Sequence, residues 1–232
     1  MQSWSALFER AAEYDVDETA VRETLDAVRA SAERDGDGSE STAPTGSGDG
    51  SDSTGWAGDE ANTAGGADAA GAETSSPAES SPARVVADAD VLAADLFCDG
   101  DARRALDHLR RHSWTTLVAS GPLVDDAETA VAELADADLA SAWRERVSQW
   151  CEFVAHPSGD HPALATAYRG GAMHLLSYDE RLLSAKAGAT LGSRLSVSAR
   201  RPGAFATLFD PESLYREVTD GEYPGPDRDP RE

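Results

Sequence analysis

The sequence predicts an α/β fold, a three-layer α/β/α domain with a central parallel sheet, over residues 84–217. From Arg84 onward, short apolar segments alternate with helical segments, and strands separated by helices form parallel sheets with helices on both faces. The apolar fraction of the 232-residue chain is 40%. This value is ordinary for a globular protein, so the chain can bury a core.

The predicted elements follow one another in a regular order. The first strand, RVVAD, ends at Asp88, and VLAADLF leads from it into the amphipathic helix DARRALDHLRRH. A second strand, TLVAS, precedes the helices PLVDDAETAVAEL and DLASAWRERVSQWCEF. The remaining elements are the helix HPALATAYRGG, the strand MHLLS, a strand near LSVSAR and a last helix that begins at Pro202. Ligands of such sheets bind at the carboxyl ends of the strands.

Two short helices are predicted ahead of this domain, in residues 1–34. Each has one apolar face, formed by Trp4, Leu7, Phe8 and Ala11 in the first helix and by Val21, Leu25 and Val28 in the second. Asp17 is placed to cap the second helix. Because two short helices are marginal alone, we expect them to dock on the main domain or on another protein chain.

The residues between these helices and the domain have a different composition. There is no basic residue between Arg34 and Arg84, and Trp56 is the one aromatic residue of this segment. Such a segment buries too little apolar surface to offset its ordering entropy, so residues 35–83 are predicted to be a disordered acidic linker rich in Gly, Ser and Ala. Residues 218–232 are expected to form a disordered tail.

The charge of the chain indicates its surroundings. There are 43 acidic against 20 basic residues, the net charge is -23, and Lys186 is the single lysine. An acidic, lysine-poor surface keeps a protein hydrated in molar salt, which predicts the cytoplasm of a halophile. We expect no membrane association, because the sequence has neither a leader pattern nor about 20 consecutive apolar residues. Cys98 and Cys151 lack metal-ligand spacing and are expected to be buried thiols.

Four aspartates are placed to meet at one edge of the predicted sheet. Asp88 ends the first strand, and Asp126 lies in the helix after the second. Asp160 opens the helix before MHLLS, and Asp179 follows that strand. Carboxylates this close repel one another unless divalent cations neutralise them, and Mg²⁺ and Mn²⁺ prefer all-oxygen ligands. The sequence therefore predicts a Mg²⁺ or Mn²⁺ site of the kind that assists phosphodiester hydrolysis.

The same segments resemble PIN domains. VVADADVL is similar to the opening PIN strand, and VASGPLVDDAETAV is similar to the segment whose helix carries an acidic residue. GDHPALATAYRGGAMHLLSYDERLL is similar to the stretch with an Asp before an alanine-rich helix and with Ser or Thr two residues before another acidic position. LSVSARRPGAFATLF is similar to the closing strand and helix. The resemblance covers about Arg84 to Tyr215, and with the acidic composition it is to a PIN domain of haloarchaeal type. It implies a Mg²⁺- or Mn²⁺-dependent endoribonuclease that cleaves RNA.

Position by position, the resemblance places the acidic tetrad of the family at Asp88, Asp126, Asp160 and Asp179. It makes Ser177 the hydroxyl that helps to hold a metal or its water. The helix position is open among Asp125, Asp126 and Glu128, and we prefer Asp126 because Leu123, Val124 and Ala127 then face the core. Asp90 stands where the family often has Asn and adds a fifth negative charge. PIN-like proteins commonly pair, so a homodimer is expected, with the N-terminal helices as a possible surface for a partner.

Other interpretations of these residues stay open. Asp160 and Asp179 are also well placed to cap helices, and the helix dipole favours Asp125 and Asp126 in any early turn. A PIN-like fold that binds a partner without catalysis is a second interpretation. Asp-x-Asp after an apolar strand also opens haloacid-dehalogenase-type phosphatases, in which Asp88 would be the nucleophile. In this chain, however, the acidic pair precedes Lys186, which is the reverse of the order in that family.

Basic residues are few, so the clusters that exist are candidates for contacts with RNA phosphates. They are Arg103, Arg104, Arg110 and Arg111 in one predicted helix, and Arg200 and Arg201 before the last helix. Part of the first cluster is expected to be ion-paired, because Asp107 lies four residues from two of its arginines. His156, His161 and His174 lack the i, i+4 spacing of a zinc helix, so no histidine metal site is expected.

The stability of the protein should depend on salt. Because an unscreened acidic surface repels itself, we expect the melting temperature to rise as KCl increases from about 0.1 M to above 1 M, and the fold to be lost as salt is removed. Thermal melts followed by circular dichroism measure this. A melting temperature that is unchanged across this range would contradict the assignment to a halophile.

Overall fold

The computed structural model describes residues 2–36, 76–156, 161–184 and 196–232. The strands in these residues are β1 (Ser81–Ala87), β2 (Thr116–Ala119), β3 (Glu152–Phe153), β4 (Ala172–Leu176) and β5 (Ser198–Arg200). The first helices are α1 (Trp4–Ala11), α2 (Glu18–Gly36), α3 (Ala89–Phe97), α4 (Asp101–Arg110) and α5 (Gly121–Leu134). The later helices are α6 (Ala137–Trp150), α7 (Pro162–Arg169), α8 (Glu180–Leu183), α9 (Pro202–Leu208) and α10 (Pro211–Val218).

The five strands form one sheet in the order β3-β2-β1-β4-β5, and every neighbouring pair is parallel. The predicted α/β fold with a central parallel sheet is therefore confirmed. The chain runs from β1 outward to β3 and then crosses to the other side of β1 for β4 and β5. For this strand order, the right-handed connections usual between parallel strands predict α3–α6 on one face of the sheet and α7 on the other. In the described part of the chain, no helix is both long and apolar enough to cross a bilayer.

The order in which strands are added to the sheet reverses between β1 and β4, which lie side by side. In open parallel sheets, the crevice at the carboxyl ends of such a strand pair is the usual place for a ligand. The backbone N–H of Asp88, just after β1, donates to the carbonyl oxygen of Leu176 at the end of β4, at 2.8 Å. Asp88 and Ser177, the residues that follow the two strands, are therefore neighbours at this crevice.

A tight turn at Gly171 leads into β4. Gly171 has a φ of +62°, and a Cβ at this position would lie 2.3 Å from the carbonyl oxygen of Glu79. Glycine avoids both the left-handed strain and this clash. The backbone N–H of Ser81 donates to the carbonyl oxygen of Gly171 at 2.9 Å, so the turn also fixes the start of β1.

The two N-terminal helices dock on the domain and share its core. The core includes Trp4, Leu7, Phe8 and Ala11 of α1 and Val21 and Leu25 of α2. These helices were predicted as a possible surface for a partner, but their apolar faces are covered within the chain. The homodimer, which the resemblance to PIN-like proteins implies, stays a prediction.

Two arginines of α4 hold α1 in place. The guanidinium carbon of Arg103 lies 3.7 Å from the centre of the Phe8 ring, and that of Arg110 lies 4.0 Å from the centre of the Trp4 ring. Arg110 also forms a buried ion pair with Asp95 of α3. A cation over a desolvated aromatic face contributes about 2 kcal/mol. These contacts explain how so short a helix stays docked.

Both ends of the predicted domain differ from the structure. The domain starts earlier than residue 84, because β1 begins at Ser81 and the N–H of Ala78 donates to the carbonyl oxygen of Arg169 at 2.9 Å. The C-terminal residues, expected to form a disordered tail, lie against α1 and α4. Arg231 pairs with Asp107 at 2.8 Å, and the N–H of Ser5 donates to the carbonyl oxygen of Arg231 at 3.0 Å. Composition did not predict these contacts, because they depend on a buried acidic partner far away in sequence. The linker prediction for residues 37–75, including Trp56, lies outside the described residues.

Proteolysis tests whether the N-terminal helices belong to the core. We expect a protease to cut in the predicted linker and leave a fragment that begins ahead of Ala78, because Ala78 and β1 are held by hydrogen bonds to the domain. Because the apolar faces of α1 and α2 are buried, the released helices should still elute with this fragment in size-exclusion chromatography at molar salt. Trp4→Ala should weaken the association, and Glu9→Ala, at an exposed position of α1, should not. Separate elution of the wild-type fragments would show that the docking is not stable.

Candidate functional site

Two buried aspartates lie at the carboxyl end of β1. Asp88 has no exposed surface and Asp90 is 4% exposed. Asp88 is the N-cap of α3, because its Oδ1 atom accepts from the N–H of Ala89 at 2.8 Å, and Asp90 lies in the first turn. The positive end of the helix dipole favours carboxylates there. The strand end and the helix start together explain how both side chains reach the crevice.

Ser177, which is fully buried after β4, joins these carboxylates. Its Oγ atom is 2.9 Å from Oδ2 of Asp88 and 3.4 Å from Oδ2 of Asp90. A hydroxyl carries one proton, so Ser177 donates to one of the two carboxylates at a time. The N–H of Tyr178 donates to Oδ2 of Asp90 at 2.9 Å. Residues that follow both strands therefore fix the position of the aspartate pair.

One oxygen of Asp90 lacks a partner. The buried Oδ1 atom has no hydrogen bond to the described residues. Burial and, to a smaller extent, the negative charge of Asp88 together raise the pKa of the Asp90 carboxyl to about 8. An unsatisfied buried oxygen is costly and rare in folded proteins. This unpaired oxygen marks Asp90 as a central member of the site, although the residue was predicted only as an additional negative charge.

Arg29 of α2 supplies the positive charge of the site. Its Nη2 atom is 2.9 Å from Oδ1 of Asp88, and its Nε atom is 3.7 Å from Oδ2 of Asp126. Burial lowers the pKa of Arg29, but the charges of Asp88, Asp90 and Asp126 outweigh this effect and raise it. The guanidinium is therefore the counter-ion of these carboxylates.

Sequence reasoning missed Arg29, although the sequence contains a signal for it. Val21, Leu25 and Arg29 are spaced four residues apart, so they share one face of α2. Val21 and Leu25 are buried in the core. A charged residue at the next position of an apolar face indicates a partner of opposite charge in the protein that it packs against.

Asp126 is the member of its helix that lies near Asp88. Both residues contact the same guanidinium, and burial raises the pKa of Asp126 while Arg29 opposes this. Asp125 and Glu128 each pair with Arg144 of α6, at 2.6 Å. Of the three residues that the sequence left open, Asp126 is therefore the one that the fold brings to the crevice.

Asp179 lies after β4 and caps α8. Its Oδ1 atom accepts from the backbone N–H of Arg181 at 2.8 Å, and its Oδ2 atom pairs with the Arg181 side chain at 2.8 Å. Burial acts to raise the pKa of Asp179, but its hydrogen bonds with Arg181 outweigh burial and lower it. The capping interpretation therefore describes the geometry of Asp179. The same residue also lines the pocket beside Asp90.

Asp160 lies outside the described residues, but the next residue, His161, lies beside the site. Burial lowers the pKa of His161, and the charges of Asp88 and Asp179 act in the opposite direction. Both carboxylates therefore lie within electrostatic reach of the position that follows Asp160.

The predicted basic clusters do not form a continuous surface. Arg103 is 9% and Arg110 is 3% exposed, and both are held by Asp95, which is a correction to their predicted role in binding RNA. Arg111 is exposed, and Arg104 pairs with Asp101. Arg201 pairs with Glu180, and Nε of Arg200 donates to Oγ of Ser198 at 3.1 Å.

Burial raises the pKa of Cys98 to about 11 and that of Cys151 to about 12, which makes both thiols unreactive at neutral pH.

A pocket of about 430 Å³ opens beside the carboxylates, between α2 and the β4–α8 segment. Asp90, Tyr178 and Asp179 line it on one side, and Arg22 and Arg29 line it on the other. The pocket therefore has the carboxylates on one side and two basic side chains of α2 on the other.

The side chains of the site offer the type of atom that a hard divalent cation prefers as a ligand. The carboxylates and the hydroxyl are oxygen ligands of this type, and the buried Oδ1 atom of Asp90 has no hydrogen bond to the described residues. Yet in the part of the chain that the structure describes, no three His, Cys, Asp or Glu side chains stand in an arrangement that could hold a metal ion. The guanidinium of Arg29, rather than a shared ligand position, bridges Asp88 and Asp126.

Asp90→Asn tests the charge balance of the site in the presence of EDTA. The folded-state pKa of Asp90, about 8, exceeds its ordinary value of 3.8. The folded protein therefore retains a proton that the unfolded chain releases, and the stability of the wild type should fall as the pH rises from about 4 to about 8. The variant lacks this loss and should be more stable at pH 7, by on the order of 4 kcal/mol.

Urea unfolding at several pH values measures this difference. Asp15→Asn, at an exposed position, is the control and should leave the pH profile unchanged. An Asp90→Asn profile parallel to that of the wild type would show that Asp90 is ionised in the folded protein at neutral pH.

Comparison with known proteins adds a family but no activity. No curated protein matches the chain, and no solved structure does. A family model matches residues 79–231, about two thirds of the chain, which includes every strand-end residue of the site and excludes α1 and α2. The chain therefore belongs to a family of unknown function, DUF7384.

Proposed function

We propose that the protein is a Mg²⁺- or Mn²⁺-dependent endoribonuclease of PIN type that hydrolyses RNA phosphodiester bonds. The observation that supports this most is the buried pair Asp88 and Asp90, joined through Ser177 at the point where the strand order reverses. Two adjacent buried carboxylates have a charge cost that a proton on Asp90, the Arg29 guanidinium or a divalent cation can relieve. Of these three, the divalent cation is the one that assists phosphodiester hydrolysis.

Each residue of the site has a role under this proposal. Asp88, Asp160 and Asp179 would hold the cation and Asp126 would complete the set, with Asp160 contributed from outside the described residues. Asp90 would lie beside them, and Ser177 would orient the carboxylates and water. When bound, the cation supplies a Lewis acid that activates water and stabilises negative charge on the phosphate. The buried positions of Asp88 and Ser177 keep their geometry fixed and limit the water around them.

RNA has to approach a protein of net charge -23. Molar salt shortens the range of this repulsion to about 3 Å, so local contacts decide binding. Arg22 is exposed at the rim of the pocket beside the site and offers a local positive charge to a phosphate. This arrangement is compatible with RNA as the substrate under halophilic conditions.

A second candidate function is binding of a partner without catalysis. Arg29 favours it, because the guanidinium already balances the charge of Asp88 and Asp126. A protein that has lost its cation would need such a counter-ion permanently. Cation binding separates the two candidates, since a scaffold has no need of Mn²⁺.

Substitutions in the site test the nuclease. Asp88→Asn, Asp160→Asn and Asp179→Asn should each lower Mn²⁺-dependent RNA cleavage by more than about 100-fold, because loss of an outer-shell partner alone costs about 10–100-fold. Cleavage of a labelled single-stranded RNA in molar KCl, with Mn²⁺ or EDTA, is the measurement.

Asp125→Asn is the matched control. Asp125 is adjacent to Asp126 but pairs with Arg144, so this variant should cleave as the wild type does. Wild-type protein without Mn²⁺-dependent cleavage, or site variants with normal cleavage, would remove the nuclease proposal and leave the scaffold.

A further inference from the structure

The side chain that neutralises the site comes from outside the part of the chain that matches the family. Asp88, Asp90, Asp126 and Ser177 lie within residues 79–231, whereas Arg29 lies in α2. The ion pair between Arg29 and Asp88 joins residues 59 positions apart. An N-terminal element therefore controls the charge of a site that the rest of the domain builds.

We propose that Arg29 is an internal counter-cation that competes with a divalent cation for Asp88 and Asp126. The inference rests on the proposed metal-dependent function. The ion pairs of Arg29 and the bound cation exclude each other, so α2 sets the cation concentration at which the site fills.

The hydrogen bonds of Asp88 explain the exclusion. Its Oδ1 atom accepts from Ala89 and from Arg29, and its Oδ2 atom is 2.9 Å from Oγ of Ser177. A cation bound at Oδ1 therefore needs the place of the guanidinium. Two positive groups in a half-buried site also repel each other strongly, because water screens them little.

The structure gives Arg29 room to leave without undocking α2. Its side chain is 20% exposed and borders the pocket of about 430 Å³. Asp26, three residues earlier on α2, lines the same pocket and offers an acidic neighbour. Val21 and Leu25 are buried in the core and hold the helix. Movement of one side chain is therefore sufficient to exchange the counter-ion.

Titration calorimetry of Mn²⁺ into the metal-free full-length protein in molar KCl tests the inference. Arg29→Gln removes the charge but keeps a polar side chain, and should bind Mn²⁺ at least about tenfold more tightly than the wild type, or about 1.4 kcal/mol. Arg29→Lys keeps the charge and should bind close to the wild-type affinity. Arg34→Gln is the control on the same helix, because Arg34 bonds the carbonyl oxygen of Ala30 at 2.8 Å, and its affinity should not change.

Thermal melts provide the second readout. Without a counter-ion, the metal-free Arg29→Gln variant should melt below the wild type, and Mn²⁺ should raise its melting temperature more than that of the wild type. A variant that folds only when Mn²⁺ is present would support the inference, since the cation then replaces the guanidinium. A variant that stays unfolded with Mn²⁺ would overturn it.

The outcomes separate this inference from the proposed function. If the wild type binds Mn²⁺ and Arg29→Gln binds it equally or more weakly, the competition is refuted while the metal-dependent function stands. If neither protein binds Mn²⁺, the proposed function and the inference both fail.

Discussion

A carboxylate buried at the end of a parallel strand requires compensation, and the arrangement around β1 follows from this requirement. Asp88 has no exposed surface and lies between the start of α3, the end of β4 and the face of α2. Each of these elements provides one contact: a backbone N–H, a hydroxyl and a guanidinium. An unpaired charge at this depth would destabilise the fold by several kcal/mol. The packing of three elements is thus tied to one side chain.

Buried charges are also compensated where α1 packs on α4. Arg110 pairs with Asp95 in the interior and lies over the Trp4 ring, while Arg103 donates to backbone carbonyl oxygens of α3 and lies over the Phe8 ring. Arginine suits these places because its planar guanidinium both pairs with carboxylates and stacks on aromatic faces. The chain has a single lysine and few basic residues, and several of its arginines form internal contacts. The surface is therefore strongly acidic.

This distribution of charge links the fold to the proposed chemistry. The cluster is held by the end of β1 with the start of α3, which place Asp88 and Asp90, and by α5, which places Asp126. Its counter-ion comes from α2, elsewhere in the chain. Under the proposal, this site exchanges one cation for another. Both candidate functions depend on the same balance, because a nuclease needs Arg29 to yield to a metal ion and a scaffold needs it to stay.

The sequence by itself determined the class of the fold and the strand-end positions of the site. Alternating apolar and helical segments are local features, so they predict a parallel sheet, and they place Asp88 and Ser177 correctly after their strands. The choice of Asp126 rested on the core positions Leu123, Val124 and Ala127, all of which are buried.

Only the tertiary structure decided which charges meet. The pairing of Arg29 with Asp88, the unpaired oxygen of Asp90, the burial of Arg103 and Arg110, and the contact of Arg231 with Asp107 join residues that periodicity does not relate. Helical and strand patterns show which face of an element is apolar, but they do not show which distant element covers it. Electrostatic partners across a core are fixed by packing, and packing is a property of the whole chain.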